Sequence, residues 1–395
     1  MRAHRHGAVR KAQEERVTVG FHSPLPPART GVADYSAALL GALQKLGRVR
    51  SNVNHADVHL YHIGNNQLHR AIYRQAMARP GVVVLHDAVL QHLFLGSLTE
   101  GEYVDEFVYN YGEWHRDRGH QLWRERASSA TDERYFRYAM LKRIATTSLA
   151  VIVHNPGAAD LVRQHAPEAP IVTIPHLFDP PAPVLSPDPV AAIDFRRALG
   201  IPIDGYLFGS FGYQRESKRL LPVLETFVRL RLAFPEETRA RIGMLVAGEF
   251  VSSDLARACA PLLKTPGVYR VPYLGERDFR IAASAVDACI NLRVPAAGET
   301  SGIGIRLMGM GKPVLLTEAQ ENSSFPQGSF LPVPAGVAES AALFDYMGIL
   351  ALDHALSREI GRIAAEHVGR EHALARISQL YWEVLCKNAT SPSFA

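Results

Sequence analysis

Short runs of β-branched and other apolar residues alternate along this chain with longer stretches whose apolar positions recur at helical spacing. That alternation predicts parallel sheets covered by helices on both faces, an α/β fold. In the first half the runs place strands at Val17 to His22, Val58 to Ile63, Val82 to His86, Ala150 to His154 and Ile171 to Ile174. In the second half they fall at Tyr206 to Gly209, Ile242 to Ala247, Val268 to Val271, Ala288 to Leu292 and Pro313 to Leu316. Between Leu93 and Ile144 the pattern loses its strand signals and becomes rich in Tyr, Trp, Arg and Glu, which predicts a helical insert over about 93–145. From Pro175 to Val190 the chain carries six prolines. Each removes a donor and fixes φ, so the interdomain linker is placed there, at 181–194.

The expected organisation is therefore a mobile basic tail at 1–15, an N-terminal Rossmann-like domain at 16–180 and a second at 195–370. A C-terminal helical segment, patterned from Ser357 to Lys387, is expected to return to the N-terminal domain over 371–395. The 395 residues suffice for two domains with separate cores. A hydrophobic fraction of 47% with 21% charged residues excludes a disordered chain, and no apolar run reaches the length of a membrane-spanning helix. The polar N-terminus lacks the apolar stretch of a signal peptide, so a cytoplasmic location is expected. Cys259, Cys289 and Cys386 follow no metal-ligand spacing and read as buried thiols. A net charge of +4 spread along the chain suits anionic ligands better than a nucleic-acid surface.

Candidate chemistry lies where strands end. The first strand runs into Ser23-Pro-Leu-Pro-Pro-Ala-Arg-Thr-Gly31, a loop at the edge where open α/β sheets bind ligands. Gly31 would admit close backbone approach, and the helix that follows, opening near Ala33, favours an anion at its N-terminus. The same loop also fits a plain strand-to-helix connection, and it carries no dinucleotide fingerprint. His86 and Asp87 end the Val82 strand as a titratable pair. Tyr61-His62-Ile63-Gly64-Asn65-Asn66 closes the second strand as a polar cluster that lines the same edge or serves only as a turn.

In the second half, Gly212 is followed by Arg215, Lys218 and Arg219 ahead of a helix, and backbone amides with cations suit a diphosphate. The strongest local signal is Asn291-Leu-Arg293-Val-Pro-Ala-Ala-Gly298-Glu299-Thr-Ser-Gly302-Ile-Gly304-Ile-Arg306, followed by Gly311-Lys312-Pro313. The amides of Gly298 and of Thr300, Ser301 and Gly302 suit phosphate oxygens, while Glu299 suits sugar hydroxyls. The plainer reading makes Thr300 or Ser301 a helix N-cap.

Taken together, these segments and the Ile174-Pro175-His176 linker entry resemble family 4 glycosyltransferases, in order and over almost the whole chain. The resemblance implies the GT-B fold, two facing Rossmann-like domains with a cleft between them. It also implies a nucleotide-diphosphate sugar donor, retention of anomeric configuration and no metal or other cofactor, with UDP and GDP both open. By position, Gly31 resembles the glycine loop near donor phosphates and acceptor, His86 the histidine beside the reacting sugar, Lys218 the diphosphate lysine, and Glu299 the first of two glutamates. The arginine usual before that lysine falls on Tyr213, leaving Arg215 or Arg219 to supply the second cation. The second, ribose-binding glutamate falls on Arg306. Seven residues turn a helix through about 700°, so Glu299 and Arg306 are expected near one face, with Arg306 pairing with Glu299 or with the diphosphate.

The implied activity is glycosyl transfer, hexosyl or related, to a glycan, a lipid-linked glycan or a small metabolite, with room for peripheral contact at the inner face of the membrane. Fixed amides and cations would stabilise the leaving diphosphate, and acceptor attack on the same face would give retention. Two alternatives share the fold: a protein that binds nucleotide sugars without transfer, and a sugar-nucleotide epimerase.

Overall fold

The computed structural model describes residues 17–28, 30–180 and 189–390. The expected basic tail, 1–15, and the expected linker over 181–188 lie outside them. The rest of that linker is helical, in Pro189–Ala198. Pro189 opens this helix, where the missing N–H has no intrahelical partner to lose.

The chain divides into two compact units. One contains the residues up to Leu177, Ala297–Thr300 and the chain from His372 on; the other contains Phe178–Ala296 and Ser301–Glu371. In the first unit β1 (Thr18–His22), β2 (Arg48–Ser51), β3 (Val58–Ile63), β4 (Val82–Leu85), β5 (Ala150–Val153) and β6 (Ile171–Thr173) form one sheet in the order β2-β1-β3-β4-β5-β6. In the second, β7 (Tyr206–Phe211), β8 (Ile242–Ala247), β9 (Val268–Val271), β10 (Ala288–Ile290), β11 (Val314–Thr317) and β12 (Leu331–Val333) are ordered β12-β11-β10-β7-β8-β9. Every strand pair is parallel. The continuous apolar run Val82 to Leu85 follows from burial on both faces. Val82 and Val84 pack with Phe21, Tyr35 and Leu39, whereas Val83 and Leu85 pack with Ile72, Phe94 and Ile144.

Two strands escaped the sequence pattern, β2 and β12, and both lie at sheet edges. Arg48–Ser51 buries only Val49, and Leu331–Val333 has a proline at its centre, which an edge tolerates because one side needs no ladder donor. Four helices, Gln91–Leu95, Glu100–Tyr111, Arg116–Arg124 and Lys142–Thr147, separate β4 from β5. The second of them starts with a reciprocal cap between Thr99 and Glu102. The expected single terminal helix is two, His354–Glu371 and Leu374–Asn388. Between them His372 is buried and donates from Nδ1 to the His176 carbonyl at 2.6 Å, which turns the chain. The last helix packs on helix Gly31–Leu43, where the Tyr35 and Tyr381 hydroxyls meet at 2.9 Å. Among the described residues no helix is long and apolar enough to cross a membrane.

Candidate functional site

Open parallel sheets bind ligands at the carboxyl ends of strands where the strand order reverses. In the second unit that point lies between β7 and β10, and the sequence signals fall on the loops after those two strands. After β7 the chain turns at Gly212, whose φ is +85°. A methyl group there would lie 2.5 Å from Ile303 Cδ1 and 3.1 Å from Lys218 Nζ, and one on Gly248 would lie 2.2 Å from the Gly212 carbonyl oxygen. Glycine is thus demanded twice by close approach as well as by conformation. The turn Glu216–Lys218 carries the lysine inward, where it is only 8% exposed and donates from Nζ to the Phe211 carbonyl. The loop after β10 joins it through a Val294 N–H to Ser217 carbonyl bond of 2.8 Å.

Burial, and then the charges of Arg293 and Arg215, push the Lys218 ammonium well below the usual lysine range. The charges acting on this buried cation are therefore themselves positive, an arrangement that an anionic ligand would relieve. Arg215 is exposed, and Arg293 donates from Nη1 to the Leu292 carbonyl at 2.9 Å, beside Lys218. Arg219, expected as a possible second cation, is committed elsewhere. Its φ of +58° turns the side chain to Glu339, whose 2%-exposed carboxylate accepts from Nε at 3.0 Å and Nη2 at 2.9 Å.

Ser301, not Thr300, caps helix Gly302–Gly309, accepting from the Gly304 N–H at 3.1 Å. Because the helix opens at Gly302, Glu299 lies outside it, and the helical-face relation expected between Glu299 and Arg306 does not arise. Arg306 instead donates from Nη2 to both oxygens of Glu276 at 2.7 Å and lies 4.0 Å over the Phe279 ring. Arg280 holds the same Glu276 carboxylate; burial opposes its charge, but the charge of Arg306 and then the hydrogen bond and charge of Arg280 keep that carboxyl acidic.

Glu299 and its neighbours Ala297–Thr300 belong to the first unit. Glu299 accepts from the Ala297 N–H at 2.6 Å, and the Ala297 carbonyl accepts from the Ala88 N–H at 2.7 Å. Asn155 donates to the Gly298 carbonyl and to Thr300 Oγ1, each at 3.0 Å. Gly298 has φ +73°, and a methyl group on it would lie 2.7 Å from Ala88 Cβ. This segment is thus fixed just beyond the His86-Asp87 strand end.

At that strand end the two ionisable groups separate in role. Asp87 accepts from the Asn65 N–H at 2.7 Å, and Asn65 Oδ1 accepts from the N–H groups of His92 and Leu93, so Asp87 and Asn65 fix the loop and the helix start. His86 is buried with Nε2 2.9 Å from His62 Nδ1. Tyr35 packs edge-on against both His86 and His176, with ring centres 4.9 and 4.7 Å away. His154 completes the cluster, 5.2 Å from His86 by ring centre. Burial holds these imidazoles neutral, lowering His154 to about 4 and His176 to about 3, and lowering His62 and His86 well below the usual range. Gly31 is the first residue of helix Gly31–Leu43, capped by Thr30, and a methyl group on it would meet nothing within 4 Å among the described residues.

The sequence pattern places His86, Gly212, Arg215 and Lys218 at strand ends; it includes His62 and Arg293 in strand-end runs without giving either a role, and marks His154 only as the end of a strand. Each of these three sits within or beside a strand-end run, and that position was the available signal. Among the described residues no group of three His, Cys, Asp or Glu is arranged to hold a metal ion.

No protein-family model matches the sequence, and no curated protein matches it. Solved structures do match. HepE of Anabaena, solved in complex with UDP and glucose, aligns with a TM-score of 0.66 over 94% of this chain and 100% of its own, at 13% identity. Sucrose-phosphate synthase from Thermosynechococcus elongatus aligns with a TM-score of 0.65 over 94% and 100% of the two chains, at 16% identity. WaaG, a glycosyltransferase involved in lipopolysaccharide biosynthesis, gives 0.58 over 93% and 99%, at 14% identity. With its two parallel six-stranded sheets and flanking helices, the chain shares with these proteins the GT-B fold, built from two Rossmann-like domains.

Proposed function

We propose that this chain is a retaining, metal-independent glycosyltransferase that moves a sugar from a nucleotide-diphosphate donor to a glycan, lipid-linked glycan or small-metabolite acceptor. The observation that carries the reading is Lys218, a buried ammonium whose neighbouring charges are cations, beside a glycine turn at the switch point of the second sheet. A diphosphate supplies the missing negative charge. Lys218, Arg215 and Arg293, with the amides around Gly212 and those of Ser301 and Gly302, would stabilise the charge that grows on the leaving group. Glu299 takes sugar hydroxyls, and neutral His86 donates to the sugar without exchanging a proton. Gly31, where the described fold makes no steric demand for glycine, leaves room for a ligand. Arg219 and Arg306 serve through Glu339 and Glu276 and are not needed as phosphate ligands.

The similar HepE structures hold UDP and UDP-glucose, which makes uridine the first base to test. Replacing Lys218 by Ala should lower turnover of a nucleotide sugar by on the order of 10² or more, the scale for removing one charge-stabilising donor. Near-normal turnover in that variant would contradict the assignment. A protein that binds the donor without transferring it is the second reading, favoured by Arg306 standing where a ribose-binding carboxylate is expected. Product analysis separates the two, since transfer or hydrolysis frees the nucleoside diphosphate.

A further inference from the structure

The imidazole cluster of the first unit carries more than the position of one histidine. His62 lies in β3 opposite Val84 of β4, and His86 lies two residues beyond Val84 on the same face of the sheet. Their rings are stacked with centres 5.2 Å apart, and Nδ1 of His62 meets Nε2 of His86 at 2.9 Å. Both rings are neutral, so one proton lies in this contact and two tautomer pairs satisfy it.

The surroundings choose between them. If His86 Nε2 were the donor, His62 would carry its proton on Nε2, and that atom is buried with no partner. An orphaned N–H in a core is rarer and more costly than a bare lone pair. The neighbours show the tolerated form. His69 faces the His62 carbonyl at 2.9 Å and His154 faces the Ile174 carbonyl at 2.9 Å, each through Nδ1, so both must be Nδ1–H. Each then leaves a bare, buried and unpartnered Nε2. By the same rule His62 is Nδ1–H and donates to His86 Nε2, which leaves the His86 proton on Nδ1.

We infer that His62 is a positioning residue that locks His86 as the Nδ1–H tautomer, so that His86 offers the sugar a neutral N–H donor of fixed identity. The sugar as recipient rests on the glycosyl-transfer reading; the tautomer does not. Protonating His86 at Nε2 would set two N–H groups against each other, so the lock also bars His86 from general acid or base work. The titratable groups facing the pair are His22, His69, His154, His176 and Tyr35, none of them anionic.

Two-bond proton–nitrogen correlation spectra of ¹⁵N-histidine-labelled full-length protein, with His86 assigned by its loss in His86→Asn, read the tautomer directly. The expected result is a protonated Nδ1 and a bare Nε2 at His86, unchanged between about pH 6 and pH 8. His62→Asn keeps an N–H donor where Nδ1 stood and should preserve that state. His62→Phe keeps the ring and removes the donor; it should release His86 to Nε2–H and lower nucleotide-sugar turnover about tenfold, the scale of one hydrogen bond. Stabilisation by UDP, read at the second unit, should hardly change. An Nε2–H His86 in the wild type, or one unmoved by His62→Phe, overturns the inference. So does equal loss of turnover in both variants, which would mark His62 as merely structural. A wild type that cleaves no nucleotide sugar would remove the glycosyl-transfer reading, while the spectra would still decide the tautomer.

Discussion

Replacing Lys218 by methionine tests whether its ammonium is kept for an incoming anion. The substitution retains most of the buried stem and removes the charge. In the native protein burial, and then the charges of Arg293 and Arg215, hold the Lys218 ammonium well below the usual lysine range. The unfolded chain therefore binds more protons than the native chain between the lowered value and about 10.4, and native stability rises with pH through that window. Below the window lysine is charged in both states and the full cost of burial stands; above it the cost is gone. One such group contributes a slope approaching 1.4 kcal/mol per pH unit. Urea unfolding at two pH values inside that window should thus show the wild type gaining stability relative to Lys218→Met as the pH rises, by up to about 1.4 kcal/mol per pH unit. A bound diphosphate favours the ammonium, so UDP binding at a pH inside that window should draw in protons in wild type and none at this position in the variant. Calorimetry in buffers of different ionisation enthalpy reads that uptake. A stability difference flat with pH, or equal UDP affinity without uptake in both proteins, would refute the reasoning.

Arg219→Ala should lower stability by about 3 kcal/mol, because it leaves the buried Glu339 carboxylate unpaired, yet spare UDP affinity. Arg215→Ala, at an exposed position, should do the reverse, weakening UDP about tenfold with stability changed by less than about 0.5 kcal/mol. Titration calorimetry and chemical unfolding separate the two outcomes. Gly298→Ala should cost at least about 1 kcal/mol from its positive φ alone, with the Ala88 contact adding to it, as a lower melting temperature. Acid should unfold the first unit early. His154 and His176 stay neutral in the fold down to about 4 and about 3, while unfolded histidine takes up protons below about 6.5, so stability is lost as the pH is lowered through that interval. His154→Gln should blunt the fall, read as the pH dependence of the unfolding free energy.

Central strands were legible because burial on both faces demands unbroken apolar runs, as in Val82 to Leu85. The edge strands Arg48–Ser51 and Leu331–Val333 were not, since an edge needs neither length nor a full apolar set. The site divides along the same line. Lys218 and Gly212 could be found because a glycine turn and a lysine lie together in sequence just past a strand. The commitments of Arg219 to Glu339, 120 residues on, and of Arg306 to Glu276, 30 residues back, depend on tertiary packing that no local spacing encodes. The same holds for His62 and His86, joined only by the register of β3 on β4. The expected Glu299–Arg306 face failed on a local detail: a helix capped at Ser301, as one capped at Thr300 would, begins past Glu299.

The most direct test is a crystal structure of the full chain with UDP. The account predicts diphosphate oxygens within hydrogen-bonding distance of Lys218 Nζ and of backbone amides beside Gly212, with Arg215 or Arg293 turned onto the same group. Nucleotide bound away from Lys218, or a Lys218 ammonium still facing only the Phe211 carbonyl in a UDP-saturated protein, would contradict it.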